Sequence, residues 1–322
     1  MKIFRFNVLH YLRNSRHLST NRITNETIRL KKNELFSKEK TRQQALVTRI
    51  EKIEVTYRGV PNDCTLMMNK SMSTPYNCAM HLHESLCQRS VLAEVNGQMW
   101  DMHRPLVERC ELKLTNFYNN SAVLNKVFWR SCSFLLGLVI ERAFKDEYFV
   151  DLHSWPKPNV KSGSYVYDAD IGIANWIPTD EELKVFTTML CKLSNEDNVF
   201  ERLDVSEKLA LEMFEHNRFK KQQIPQIARN GIVTMYRVKD HVDISYGPMI
   251  ANTKFLGTTQ IASVHQLNND CGYRFQAVSI PRQLTLNSFA FGVLVDRAKK
   301  LNVTGLQSES NVSVEETVSA AN

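Results

Sequence analysis

The chain has 322 residues, 43% of them hydrophobic, with a formal net charge of +7. That is enough apolar material for two packed units with tails, and the composition is that of a globular protein. Seven cysteines, odd in number and without a C-x-x-C pair, point to free thiols in a reducing compartment and away from a disulfide frame. The longest apolar run, FLLGLVI from Phe134 to Ile140, is bounded by Arg130 and Glu141 and falls short of the roughly 20 residues a membrane span needs.

The charge is concentrated at one end. Residues 1–59 carry 14 lysines and arginines against 5 acids, so the remaining chain is close to neutral. The first acid is Glu26, and Lys2, Arg5, Arg13 and Arg16 share one face of a helical wheel. Arg-rich, Ser-containing, acid-poor starts of this kind are mitochondrial presequences, here expected over residues 1–18 with a cut ahead of Ser19. The alternative is a basic tail that grips RNA directly. Residues 19–60 stay basic and carry helical runs such as KKNELFSKEKTRQQALVTRIEKIEV, predicting an arm for nucleic acid or a partner. At the other end, residues 303–322 hold no basic residue and read as a disordered tail.

A folded unit is expected over 61–120. CTLMMN alternates as a strand, Thr74-Pro75 opens a helix over YNCAMHLHESLCQR, VLAEVNGQMWDM is a hairpin turning on Asn96-Gly97, and CELKLTNF is a closing strand. Strand, helix, hairpin, strand is the order of a small β-grasp fold. The helix carries Cys78, His81, His83 and Cys87, but nine positions place the two cysteines on opposite helix faces, so no metal site is expected.

A mixed α+β unit is expected over 125–302. Its elements are a long helix in KVFWRSCSFLLGLVIERAF, strands through DEYFVDLHSWPKPNVKSGSYVYDADIGI, helices at PTDEELKVFTTMLCKL and VSEKLALEMFEHNRFKKQQI, and strands in GIVTMYRVKDHVDISYGPMI and SVHQLNNDCGYRFQAVSIPR.

The first unit, through VNGQMWDMHRPL above all, resembles the TGS domain of threonyl-tRNA synthetases, and the order of the second resembles the editing domain that follows it there. Editing in that family uses H-x-x-x-H on one helix and C-x-x-x-H on a strand and loop to hold and activate the water that cleaves a mischarged ester. The resemblance places the first pair at Arg130 and Phe134 and the second at Ser245 and Met249. Arg130 stays protonated and cannot act as a base, Phe134 has no lone pair, Met249 offers only a thioether, and Ser245 without an adjacent base is a poor nucleophile. His153, His241 and His265 are the candidates for a rebuilt site, and four residues of extended strand keep His241 roughly 13 Å from Ser245.

With too few residues after 302 for an aminoacylation core and no glycine-rich phosphate loop, no catalytic, cofactor-binding or metal-ligating residue is expected. The combination resembles the mitochondrial large-ribosomal-subunit protein thirty-nine family. It implies a non-enzymatic component of the mitochondrial ribosome in the matrix, held by ribosomal RNA and neighbouring ribosomal proteins, with no cofactor, small-molecule substrate or membrane span. A tRNA-binding or regulatory module and a free-standing deacylase of mischarged tRNA are the other readings.

Overall fold

The structure, a computed structural model, describes residues 23–118, 121–267 and 272–306. The expected presequence and nearly all of the expected C-terminal tail lie outside those residues.

The chain enters with α1 (Asn25–Ala45), started by a capping box in which Thr24 and Thr27 satisfy each other's backbone N–H groups. Its single fully buried apolar side chain, Phe36, inserts among Leu203, Met213, Phe214 and Met235 of the second unit. Strand β1 (Lys52–Tyr57) follows, within the segment read from sequence as a helical arm. It buries Ile53, Val55 and Tyr57, and pairs antiparallel with β2 (Cys64–Asn69).

Helix α2 (Pro75–Leu82) starts on a Thr74–Asn77 capping box with proline in its first turn, and α3 (Glu84–Arg89) continues it after a break at His83. That break overturns the opposite-faces argument, because Cys78 and Cys87 both end up in the same core, while His81 and His83 are exposed. Strands β3 (Leu92–Val95) and β4 (Gln98–Trp100) form the hairpin, with positive φ at Asn96 (49°) and Gly97 (78°), the torsions its tight turn requires. Strand β5 (Cys110–Thr115) runs parallel to β1 and antiparallel to β3, giving the sheet order β2-β1-β5-β3-β4 of a β-grasp unit.

The second unit opens with α4 (Ser121–Ala143), which runs straight through Arg130 and Glu141. Residues 122–143 are by length and composition apolar enough to cross a bilayer, and 78% of that window is buried inside the protein. The charged boundaries read from sequence are therefore interior positions of a core helix. Next come β6 (Asp151–Ser154), β7 (Tyr165–Asp170), α5 (Asp180–Asn195), β8 (Glu201–Ser206), α6 (Glu207–Met213), α7 (Arg218–Ile227), β9 (Ile232–Val238), β10 (His241–Ile244), β11 (Leu256–Gln266), β12 (Tyr273–Pro281) and α8 (Ser288–Ala298). They build a four-stranded sheet, β11-β12-β7-β6, and a three-stranded sheet, β10-β9-β8, both antiparallel throughout. The buried apolar side chains of the grasp sheet, α4 and the four-stranded sheet form one continuous core.

Candidate functional site: a loop fastened at its base

Strand β10 delivers the segment Ser245–Met249 to the seam between the two units. Gly247 turns it with φ of 68°, and any Cβ there would lie 2.0 Å from the Tyr236 hydroxyl, so only glycine fits. The Tyr236 hydroxyl donates to both Asp101 carboxylate oxygens at 2.9 and 3.0 Å, and Asp101 Oδ1 also accepts the Met249 N–H at 2.8 Å. Asp101 follows β4, so the grasp unit supplies the group that fastens the loop. Burial pushes its carboxyl above the usual range, against the opposing pull of the Met249 N–H and Arg202, whose Nη1 stands 3.7 Å away.

The four positions of the resemblance each have an identifiable occupation. Met249 is fully buried, and its Sδ accepts a weak hydrogen bond from the Ser131 hydroxyl at 3.5 Å. Arg130 Nη1 donates to the Pro248 carbonyl at 3.0 Å, one turn of α4 away from Phe134. Phe134 is fully buried among Phe200, Trp155 and His241, with ring centroids 5.7, 6.4 and 4.9 Å away. Among the described residues Ser245 bonds only backbone: its N–H donates to the Thr234 carbonyl and its hydroxyl accepts the Gly247 N–H. No base stands at hydrogen-bond distance from that hydroxyl, which leaves it an unactivated alcohol.

Behind the loop lie two buried ionic clusters. His241 Nδ1 bonds Glu141 Oε2 at 2.6 Å, and Lys32 of α1 reaches Glu141 Oε1 at 2.5 Å. Burial alone would raise the Glu141 carboxyl, but the Lys32 ammonium and His241 outweigh it and hold the group well below the ordinary carboxylate range. In the second cluster Lys220 Nζ meets Asp243 Oδ1 at 2.7 Å, and the Tyr167 hydroxyl donates to Asp243 Oδ2 at 2.5 Å. Lys220 and Asp243 are 2% and 1% exposed, so the pair is effectively dry. Sequence reasoning singled out His241 but missed its partners Glu141 and Lys32 and the whole of the Lys220, Asp243 and Tyr167 cluster. The readable signal was a lone acid such as Glu141 inside an apolar helical run, which demands a partner elsewhere in the chain.

The remaining histidine candidates are scattered. His153 packs edge-on against Phe219 at 4.6 Å, with burial depressing its basicity, and His265 Nε2 faces the Lys299 carbonyl at 3.1 Å beside the end of α8. A cleft beside α1, lined by Asn25, Lys32, Glu141, Asp151 and His216, has none of Arg130, Phe134, Ser245 or Met249 in its wall. Among the described residues no group of three or more His, Cys, Asp or Glu side chains could hold a metal ion.

The basic arm is spent largely on the fold. Arg29 pairs with Asp240 at 2.8 Å, Lys31 with Glu215, Lys32 with Glu141 and Lys40 with Glu201, all across to the second unit, while Arg42 pairs within the helix with Glu39.

A β-grasp unit fastened to an α+β unit whose would-be water-activating positions are filled by Arg, Phe, Ser and Met defines a relative of the N-terminal region of threonine–tRNA ligases. Residues 62–115 match the TGS domain family. The probable cytoplasmic threonine–tRNA ligase 1 of Dictyostelium discoideum is 29% identical over 246 residues, 74% of this chain and 33% of the ligase. Human cytoplasmic threonine–tRNA ligase 2 is 30% identical over 189 residues, covering 59% of this chain and 22% of the enzyme. The large ribosomal subunit protein mL39 of Drosophila melanogaster is 48% identical over 287 residues, 87% of this chain and 86% of the fly protein. The chain belongs to the mL39 family.

Proposed function

We propose that the chain is a structural component of the mitochondrial large ribosomal subunit, a relative of threonyl-tRNA synthetase without hydrolytic activity, bound to ribosomal RNA and neighbouring ribosomal proteins. The observation that carries this is the near full-length match to mL39, 87% of one chain against 86% of the other. The loop geometry supports the loss of editing: the groups at Arg130, Phe134, Ser245 and Met249 cannot accept a proton from water at neutral pH, and two of them are wholly buried. Residues 1–18 act in this reading as the mitochondrial address.

The test is fractionation of mitochondria on a sucrose gradient. The chain should run with the large subunit, and a pool that stays at the top of the gradient under all conditions would sink the reading. Purified chain incubated with Ser-tRNA(Thr) should release serine no faster than buffer does. Turnover that disappears in His241→Ala would instead support the deacylase reading, and tRNA binding without turnover on a ribosome-free chain would support a regulatory module.

A further inference from the structure

The seam around Ser245–Met249 gathers three arginines that form no ion pair among the described residues. Arg104 lies flat over Trp100, its guanidinium carbon 3.6 Å from the ring centroid. Arg229 stacks over Tyr246 at 4.4 Å and donates to its hydroxyl at 2.8 Å. Arg130 reaches only the Pro248 carbonyl. None of these three has a carboxylate within ion-pair distance among the described residues, whereas Arg29, Arg237 and Arg274 all close onto acids. Asp101 is felt by Arg104 and Arg130 and Asp204 by Arg104, but both carboxylates stand at ion-pair distance only from a fourth arginine, Arg202, among the described residues.

Exposure points the same way. Tyr246 is 68% exposed at the tip of the loop, with Arg229 exposed beside it, while Trp100, Arg104 and Arg130 are half-buried. An aromatic ring held open to solvent beside an arginine plane offers a stacking surface for a base, and unpaired guanidiniums offer bidentate donors to phosphate. The base of the loop is held by the close approach of Gly247 to the Tyr236 hydroxyl and by the Met249 N–H bonded to Asp101. A protein partner would be better matched by an apolar centre than by four guanidiniums.

We infer that this seam, formed by Trp100 and Arg104 of the grasp unit with Arg130, Arg229 and Tyr246 of the second, binds an unpaired stretch of RNA, stacking a base on Tyr246 and seating phosphates on the arginines. The inference rests on the reading of the chain as an RNA-bound ribosomal component and gives that contact an address other than α1.

The test uses the purified full-length chain and a fluorescent single-stranded RNA oligonucleotide, followed by anisotropy across a salt series. Tyr246→Ala should weaken binding about tenfold, and Tyr246→Phe, which keeps the ring, should restore most of it. Arg104→Ala with Arg229→Ala should lower the slope of log affinity against log salt by about 0.7 per lost phosphate contact. Lys184→Ala with Lys192→Ala on α5, an equal loss of charge away from the seam, should leave the slope near that of the wild type, and circular dichroism checks that every variant is folded. Wild-type affinity in the seam variants, or a wild-type chain that binds no RNA, overturns the inference. So do seam variants that bind RNA normally yet are lost from the large subunit, because they assign the face to a protein. Failure of the wild-type chain to sediment with the subunit is a separate result and strikes only the ribosomal reading.

Discussion

Lys32→Met is the sharpest test of what the basic helix does. Lys32 and Glu141 are 5% and 7% exposed and 2.5 Å apart, so removing the ammonium strands a carboxylate in the interior with only His241 beside it. Methionine fills nearly the same volume, which keeps any cavity contribution small. Breaking one partner out of a buried pair costs about 3–5 kcal/mol, and at about 1.5–2 °C per kcal/mol for a chain of more than 250 residues the melting temperature should fall by roughly 4–10 °C. Thermal denaturation followed by circular dichroism near neutral pH measures this. The loss should persist at high salt, because a dry pair is poorly screened. Adding Glu141→Gln should recover about half of it by removing the stranded charge while leaving an acceptor for His241. Glu141 is held well below its ordinary pKa, so its contribution is fully present above the unfolded value and is lost only as pH falls through the depressed folded value; the gap between wild type and variant should begin to narrow below about pH 4 and close only well below that. A fall worth less than about 1 kcal/mol, the size of a surface pair, or one abolished by salt, would refute the assignment of Lys32 to the core.

Three further outcomes follow from the geometry. Asp151, with one carboxylate oxygen buried and unpartnered, has its pKa raised by burial to about 6, so its charged form destabilises the fold above that pH. Asp151→Asn should therefore melt higher than wild type at neutral pH, with the gain shrinking as pH falls from about 6 and gone below about 4; an unchanged difference across that window contradicts it. Gly247→Ala should lose at least about 2 kcal/mol in urea unfolding, since the new methyl meets Tyr236 at a position of positive φ, and a neutral result would mean the loop can relax. Phe134→His, which returns an imidazole to the helix position where the resemblance expects one, should destabilise by about 3 kcal/mol without restoring hydrolysis of Ser-tRNA(Thr), because the ring enters an apolar aromatic cluster.

Much of the architecture was legible where local chemistry decides it. The Thr74-Pro75 helix start, the Asn96-Gly97 turn and the alternation of CELKLT each appear where propensity and capping put them. Strand β1 was not, because KIEVTY follows a basic helix and its central place in the sheet, between β2 and β5, is completed by a partner more than fifty residues later. The split of one expected helix at His83 and of another between α6 and α7 escaped for a similar reason: apolar spacing carries across a short turn. For the site, the residue types at Arg130, Phe134, Ser245 and Met249 announced missing chemistry, but not what replaced it. Sequence gives the sign of a charge and not its address, so Lys32 read as part of an arm for nucleic acid or a partner and lies in a core.

The carboxylate of Asp101 binds a backbone amide, a phenol and a guanidinium that all belong to the neighbouring unit. Cutting the chain between the units would leave Met249 and Tyr236 with unsatisfied donors in what had been an interior, at a cost borne by both fragments. Each unit is thus expected to be less stable without the other, since they also share one apolar core. Removing the grasp unit should therefore cost the second unit more stability than any single substitution in the old pocket.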